Sequence, residues 1–206
     1  MACYSIDGMI PVVHPEAFVH PGASLIGDVI IGAGCYIGPA ASLRGDFGRI
    51  VIEPGSNIQD TCVLHSAPGS DMIVEVNGHI GHGAVLHGCR ISKNVLVGIN
   101  AVVMDDAVIG ESSIIGASTF IKTGFTCGPR SLIMGIPGKV IRELTTGESA
   151  WKANVTSHYH RLAVRCLKTF KQVEPLTEVE PDRRRFTAEE KFQSFGEAGD
   201  RTIQNK

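Results

Sequence analysis

The sequence predicts an all-β chain with a C-terminal α-helix, the β part being a left-handed parallel β-helix. Three observations predict it. Aliphatic residues recur every six positions over most of the chain. Glycine is abundant, at 24 residues, against only 6% aromatics. The pattern then changes completely after residue 144. High glycine and aliphatic content without a collagen-like period directs attention to internal repeats first.

The repeat runs in series. Val19, Leu25, Ile31, Ile37 and Leu43 form one, and Ile52, Ile58 and Leu64 a second, offset by an insertion around FGRIVIE. Ile80, Leu86 and Ile91 follow with one five-residue step and lead into Val97, Val103, Ile109, Ile115 and Ile121. Period six fits neither a helix nor an alternating antiparallel strand over this length. It fits a coil of three short strands, about 18 residues around, with each aliphatic side chain inward and a glycine or small polar residue at each tight corner. Stacked coils then pair in parallel at about 4.8 Å.

Residues 1–144 are expected to form the β-helix, with segment 66–79 (SAPGSDMIVEVNGH) replacing a turn by a longer loop. Thr145 to Glu148 reads as a capping box, opening a helix over 145–174 that ends before Pro175. Leu162, Val164, Cys166, Leu167 and Phe170 give that helix an apolar face to lay on the β-helix. Residues 175–206, with two prolines and dense charge, are expected to be an extended, partly disordered tail.

A net charge of −2 offers no basic stripe for nucleic acid. The N-terminus has neither a basic region nor a long apolar run, so no signal or membrane anchor is expected and the chain reads as cytoplasmic. The six cysteines lie far apart without a C-x-x-C pair, which suits small buried thiols better than a disulfide framework or a thiolate zinc site.

Among eight histidines, His65, His82 and His87 stand out. The seventeen-residue step from His65 to His82 is close to one coil, which predicts neighbouring heights. The five-residue step to His87 is one strand plus a corner, which predicts a different face. One chain would have difficulty converging all three, whereas two subunits packed side by side would not. Three neutral imidazoles with an open fourth position form the ligand set of a catalytic zinc site. Such a site brings the pKa of its water to about 7. A purely structural polar cluster at an interface is the other reading of the same residues.

The run RGDFGRIVIEPGSNIQDTCVLHS, followed by HIGHGAVLHGC and GIPGKVIREL, resembles the γ-class carbonic anhydrase superfamily of trimeric hexapeptide-repeat β-helices, over residues 10 to about 170. The resemblance implies a homotrimer in which His65 and His87 of one subunit and His82 of the next hold a metal. Zinc suits the imidazoles, and iron or cobalt also bind such sites. It further implies an interfacial Arg44–Asp46 ion pair. Asn57, Gln59 and Asp60 would line the site, Gln59 orienting metal-bound water, and Tyr159 would approach from the helix. Phe47 stands where the archetype has a glutamate, and loop 66–79 offers only Asp71 and Glu75 as proton carriers. Both departures count against rapid CO2 hydration.

Over nearly the whole chain, IDGMIPVVHPEAFVHP, LRGDFGRI, WK…HYHRLAVRC and VEPLTEVEP are similar to a narrower group, that of the phenylacetate-degradation protein PaaY and the carnitine-operon protein CaiE. That resemblance implies a thioesterase for ring-modified phenylacetyl-coenzyme A. Metal-bound hydroxide would attack the thioester, Gln59 would assist at the oxyanion, and Phe47 would form an apolar substrate wall. Carbonic anhydrase activity, acyl transfer by a hexapeptide transferase and a non-catalytic accessory trimer remain the alternatives.

Overall fold

The computed structural model describes residues 2–186 and 194–198. Its core is the left-handed parallel β-helix that the six-residue period predicts. The chain winds around three flat faces. Face one stacks Ser24–Ile31 and Ser42–Ile52 through their first halves, then Val63–His65, Val85–His87, Val102–Val103 and Phe120–Ile121. Face two continues from the second halves of the same long strands to Met72–Val74, Arg90–Ile91 and Val108–Ile109. Face three runs from Phe18–Val19 through Tyr36–Ile37, Asn57–Ile58, His79–Ile80, Leu96–Val97 and Ile114–Ile115 to Ser131–Gly135. There an antiparallel strand, Gly138–Glu143, closes the stack.

Every aliphatic residue of the predicted series, from Val19 to Ile121, is buried in one continuous core. These side chains form columns along the prism, so each touches its equivalents in the coils above and below. Truncating one leaves a cavity that neighbours held in register cannot fill.

The corners divide their labour in a way the sequence only half suggests. The left-handed backbone positions are shared between glycines such as Gly34, Gly55, Gly83 and Gly124 and side-chain-bearing residues, among them Asn77, Asn94, Asn100, Asp106, Ser112 and Ser118, these six with φ between 56° and 59°. Asparagine and aspartate tolerate this conformation better than other side-chain-bearing residues. The glycines that follow the aliphatic residues serve a different need. A Cβ on Gly98 would stand 2.5 Å from the backbone nitrogen of Ala117, and one on Gly110 would stand 2.4 Å from the carbonyl of Gly128. They keep successive coils close.

The expected insertion around FGRIVIE is present: Gly27 pairs with Gly45 but Val29 with Ile50, so three extra residues bulge at the corner while Ser42–Ile52 continues as one eleven-residue strand with Ile50 and Ile52 in the core. Segment 66–79, in contrast, is not one long loop. Only residues 66–71 leave the stack, and Met72–Val74 then pairs on both sides in face two with Met72 and Val74 fully buried. Val74 lies six residues before Ile80, so the period resumes eight residues after Ser66.

Helix α1 spans Thr146–Thr169, and the Thr145–Glu148 capping box is formed in both directions. Glu148 also takes a bidentate bond from Arg142 at 2.7 and 2.8 Å. The helix lies along face three, but not on the apolar face expected. Val164, Leu167 and Phe170 are each about half exposed, and the buried positions are Glu148, Lys152, Thr156 and Ala163. The most buried helix positions are therefore mostly polar, while the partly buried Trp151 packs on the apolar cluster of Leu96, Ile114, Leu132 and Leu144. Lys152 donates to the carbonyl of Asn77 at 2.8 Å and to Asn94 Oδ1 at 2.7 Å, with burial pulling its pKa down to about 7. His160 Nε2 lies 2.7 Å from the Gly55 carbonyl. At its end, Phe170 packs edge-on against Phe18 and His20.

Residues 170–186 carry no helix or strand, and a single turn, α2, spans Phe195–Ala198. The remainder of the expected tail, 187–193 and 199–206, lies outside the described residues. Among the described residues, no helix is long and apolar enough to cross a membrane. Cys35, Cys62 and Cys89 are buried, small and unpaired, as expected of core thiols, whereas Cys3 is exposed.

Candidate functional site

His65 and His87 end two adjacent strands of face one and are direct Cα partners. One coil from His65 therefore returns at His87, twenty-two residues on, and not at His82. The extra residues at 66–71 lengthen that coil and defeat the seventeen-residue arithmetic. The two rings meet with His65 Nδ1 3.2 Å from His87 Nε2.

The outer nitrogen of each ring is held by a carboxylate. His65 Nε2 lies 3.0 Å from Asp46 Oδ1, and Asp46 Oδ2 accepts from Arg44 at 2.6 Å. Burial pushes the Asp46 carboxyl up, but the hydrogen bonds from Arg44 and His65 outweigh it and hold the group below the ordinary carboxylate range. His87 Nδ1 lies 2.6 Å from Asp105 Oδ1.

These partners assign the tautomers. A carboxylate can only accept, so each outer nitrogen carries the proton and donates it. With both rings neutral, the inner nitrogens, His65 Nδ1 and His87 Nε2, face one another as lone pairs. Two lone pairs at 3.2 Å repel unless a proton or a metal cation lies between them. Two imidazole nitrogens on one tetrahedral zinc, each 2.0–2.1 Å away, would stand roughly 3.3 Å apart. The pair thus fits a metal both in spacing and in donor chemistry, with the carboxylate-to-histidine bracing typical of ligating imidazoles.

His82 is elsewhere. It occupies the corner between faces three and one, half exposed, with Nδ1 2.7 Å from Asp60 Oδ2. That contact frees Nε2 by the same reasoning. Among the described residues, one chain gathers no group of three His, Cys, Asp or Glu arranged to hold a metal. Each chain instead carries a braced pair at one corner and a braced single histidine at the next.

The other expected site residues divide between these two corners. Arg44, Asp46 and Phe47 accompany the pair. Phe47 is 56% exposed, its ring 5.4 Å from the His65 ring and with the Arg44 guanidinium over it at 5.9 Å. Asn57 and Gln59 lie on face three under helix α1, Tyr159 reaches down from that helix, and His82 and Asp60 sit at the adjoining corner, so none is grouped with the chain's own His65 and His87. Asn57 and Gln59 are buried there with His79. Gln59 Nε2 donates to Asn57 Oδ1 at 2.9 Å and lies 2.8 Å from His79 Nε2, while Asn57 Nδ2 lies 3.3 Å from His79 Nδ1. Tyr159 packs edge-on over His79 at 5.2 Å and against Tyr36 at 5.5 Å. Burial first, and the nearby Asp60 charge second, push the Tyr159 and Tyr36 hydroxyls above the usual phenol range.

Two participants escape the sequence reading. Asp105 lies one coil of eighteen residues after His87, so a search for an acid one turn from each histidine would have found it. His79, read as the end of a loop, is a buried strand residue. Its burial pulls its pKa down to about 3, with the Lys152 and His82 charges adding to the effect.

The profile of the family described as bacterial transferase hexapeptide (six repeats) matches residues 10–45 and 88–123. The carnitine operon protein CaiE of Citrobacter koseri is 57% identical over 185 residues, covering 90% of this chain and 94% of that protein. This chain belongs to the CaiE family of hexapeptide-repeat proteins. The CaiE of Salmonella newport is 55% identical, with 90% of this chain and 93% of that protein covered. Among solved structures, a candidate acetyltransferase from Bacillus cereus superposes with a TM-score of 0.80 at 31% identity, covering 81% of this chain and 96% of the other. A hexapeptide transferase family protein from Anaplasma phagocytophilum superposes with a TM-score of 0.77 at 32% identity, covering 80% and 97%.

Proposed function

We propose that this CaiE family member is a metal-dependent hydrolase of acyl-coenzyme A thioesters, built as a homotrimer. In this reading His65 and His87 of one subunit and His82 of a neighbour hold a zinc ion. The observation that carries it is the pair of bare imidazole nitrogens facing each other at 3.2 Å, each ring braced by its own carboxylate. Nothing in the packing of a β-helix requires that arrangement, and a cation relieves it.

A zinc ion in such a set supplies a Lewis acid and a water acidic enough to ionise near neutral pH. The protein's own contributions are separate. Asp46, Asp105 and Asp60 fix the tautomers and orientation of the three histidines. Arg44 keeps Asp46 ionised. Phe47 gives an acyl group an apolar wall beside His65, where a carboxylate would have served proton removal instead. That replacement favours thioester hydrolysis over CO2 hydration.

The acyl group follows from Phe47 and from the relatives' name. An exposed phenyl ring suits an aryl-acetyl chain such as ring-modified phenylacetyl-coenzyme A. The carnitine-operon relatives instead favour a carnitine-derived thioester. The test is zinc content together with thiol release from a panel of both thioester types, in the wild type and in His87→Ala. Thiol release lost together with zinc in the variant supports the reading, and a wild type that binds no metal and releases no thiol ends it.

Acyl transfer is the second reading, favoured by the candidate acetyltransferase that superposes at 31% identity. Product formation with an added amine or hydroxyl acceptor, retained after chelation, would establish it over hydrolysis.

A further inference from the structure

The outer side of helix α1 carries a run of cations that the fold leaves without acidic partners. From Thr146 to Thr169 the helix holds one acid, Glu148, against Lys152, Arg161, Arg165 and Lys168. Arg161, Arg165 and Lys168 recur at steps of four and three and so share one exposed face. With His160, Val164 and Thr169 they line a groove of about 480 Å³. We propose that this groove binds the phosphate-bearing nucleotide end of coenzyme A, the arginines and the lysine taking its phosphates and Val164 and Phe186 its base. The proposal rests on the acyl-coenzyme A reading above.

Local physics does not account for the run. Like charges four residues apart on a helix repel, so Arg161 beside Arg165 costs stability unless an anion lies between them. The helix dipole favours cations only in the last turn, which covers Lys168 and not Arg161. Acids follow close in the chain, at Glu174, Glu178, Glu180 and Asp182. Among the described residues, however, the one ion pair they make is that of Glu180 with Arg183 at 2.6 Å. Arg161 spends one hydrogen on Ser157 Oγ at 3.1 Å. Its other guanidinium hydrogens, and those of Arg165, find no acceptor among the described residues and are left for a ligand.

The groove offers more than charge. The Arg165 guanidinium lies 5.0 Å from the centroid of the Phe186 ring, so the chain beyond the helix returns and sets an aromatic side chain, 93% exposed, at the groove. A guanidinium is a planar fork that meets phosphate oxygens in pairs. An exposed ring beside the half-exposed Val164 gives a purine an apolar surface on which to stack. Phosphates joined to a purine are the chemistry of the nucleotide end of coenzyme A, and a bare acyl group or bicarbonate has neither. The position agrees with this. His160, at one end of the groove, follows Tyr159, whose ring packs over His79 on the face that leads into the His82 corner. From His160 to Lys168 the groove follows about 12 Å of helix, and the flexible pantetheine arm separates the phosphates from the thioester.

The binding part of the test does not depend on hydrolysis. Calorimetric titration of the full chain with adenosine 3′,5′-bisphosphate should show binding about tenfold tighter than that of inorganic phosphate. Arg161→Gln combined with Arg165→Gln changes two exposed side chains and should weaken the bisphosphate by about tenfold, and added salt should weaken it too. Phe186→Ala should weaken the bisphosphate and leave inorganic phosphate as it was. In kinetics, the double variant should lose about tenfold in kcat/KM for an acyl-coenzyme A relative to the same acyl group on N-acetylcysteamine, which lacks the nucleotide, with the loss carried by KM. A wild type that binds no bisphosphate, a double variant that binds it equally, inorganic phosphate bound as tightly, or an unchanged ratio between the two thioesters would each overturn the proposal. If the wild type releases no thiol from either thioester, the hydrolase reading fails and the titration decides the nucleotide site alone.

Discussion

Asp105 accepts the Nδ1 proton of His87 across one coil at 2.6 Å, and this contact decides which nitrogen His87 turns toward His65. Asp105→Asn keeps the shape but allows the amide to present either a donor or an acceptor, so the tautomer is no longer dictated. Zinc affinity should fall 10- to 100-fold, roughly the cost of losing such a brace, while His87→Ala should lose the metal outright. Competition titration against a chelator reads both, and an unchanged affinity in Asp105→Asn would remove the tautomer argument.

Stability should depend on pH through two groups on the face-three seam. The pKa of His79 falls from 6.5 to about 3 on folding, so between those values the unfolded chain holds the extra proton. Stability is full above the unfolded value and is lost as pH falls toward 3. Lys152 follows the same sign at higher pH. Its pKa falls from 10.5 to about 7, so stability should rise as pH climbs from 7 toward 10. Urea midpoints measured across both windows check this. In Lys152→Met the alkaline rise should disappear and the acid fall should persist.

The columns of the core predict a uniform penalty. Leu64→Ala or Leu86→Ala removes a fully buried side chain stacked between equivalents above and below. Each should cost about 2–5 kcal/mol in urea unfolding, and a loss below 1 kcal/mol would show that the stack collapses around the gap.

The helix cap makes a smaller prediction. Thr145→Ala removes the acceptor for the Glu148 amide, 3.2 Å away, and should cost about 1 kcal/mol. Since Thr156 lies on the same helix, amide exchange should quicken first in the opening turns of α1 and spread to the His79 cluster only if α1 opens as a unit.

The fold was legible because a six-residue period is a direct imprint of the prism: every aliphatic residue from Val19 to Ile121 that marks it is buried. The capping box was legible for a local reason, since Thr145 and Glu148 need only each other. What the sequence hid depended on counting across irregular coils. The six residues at 66–71 made His82 look like the partner of His65, when His87 holds that place. The docked side of helix α1 is not where its apolar residues predict, because its most buried positions include Lys152 and Thr156, which find buried acceptors that no apolar pattern announces. The grouping of Asn57 and Gln59 with His79 follows from face-three pairing and has no signature along the chain.

The closing of the long coil between His65 and His87 has a further consequence, for how this molecule tolerates changes of length. Every group that braces the histidine pair lies between Arg44 and Asp105, within a few turns of the winding. Beyond that stretch the coils are interchangeable storeys, each pairing with the next through the same register. A whole turn excised after residue 108 would shorten the tower and leave the histidine floor untouched. A single residue lost from Met72–Val74 would flip its inward side chains outward and carry His82 out of step with its neighbours. Height is free to drift in such a protein, and the phase of the winding is not.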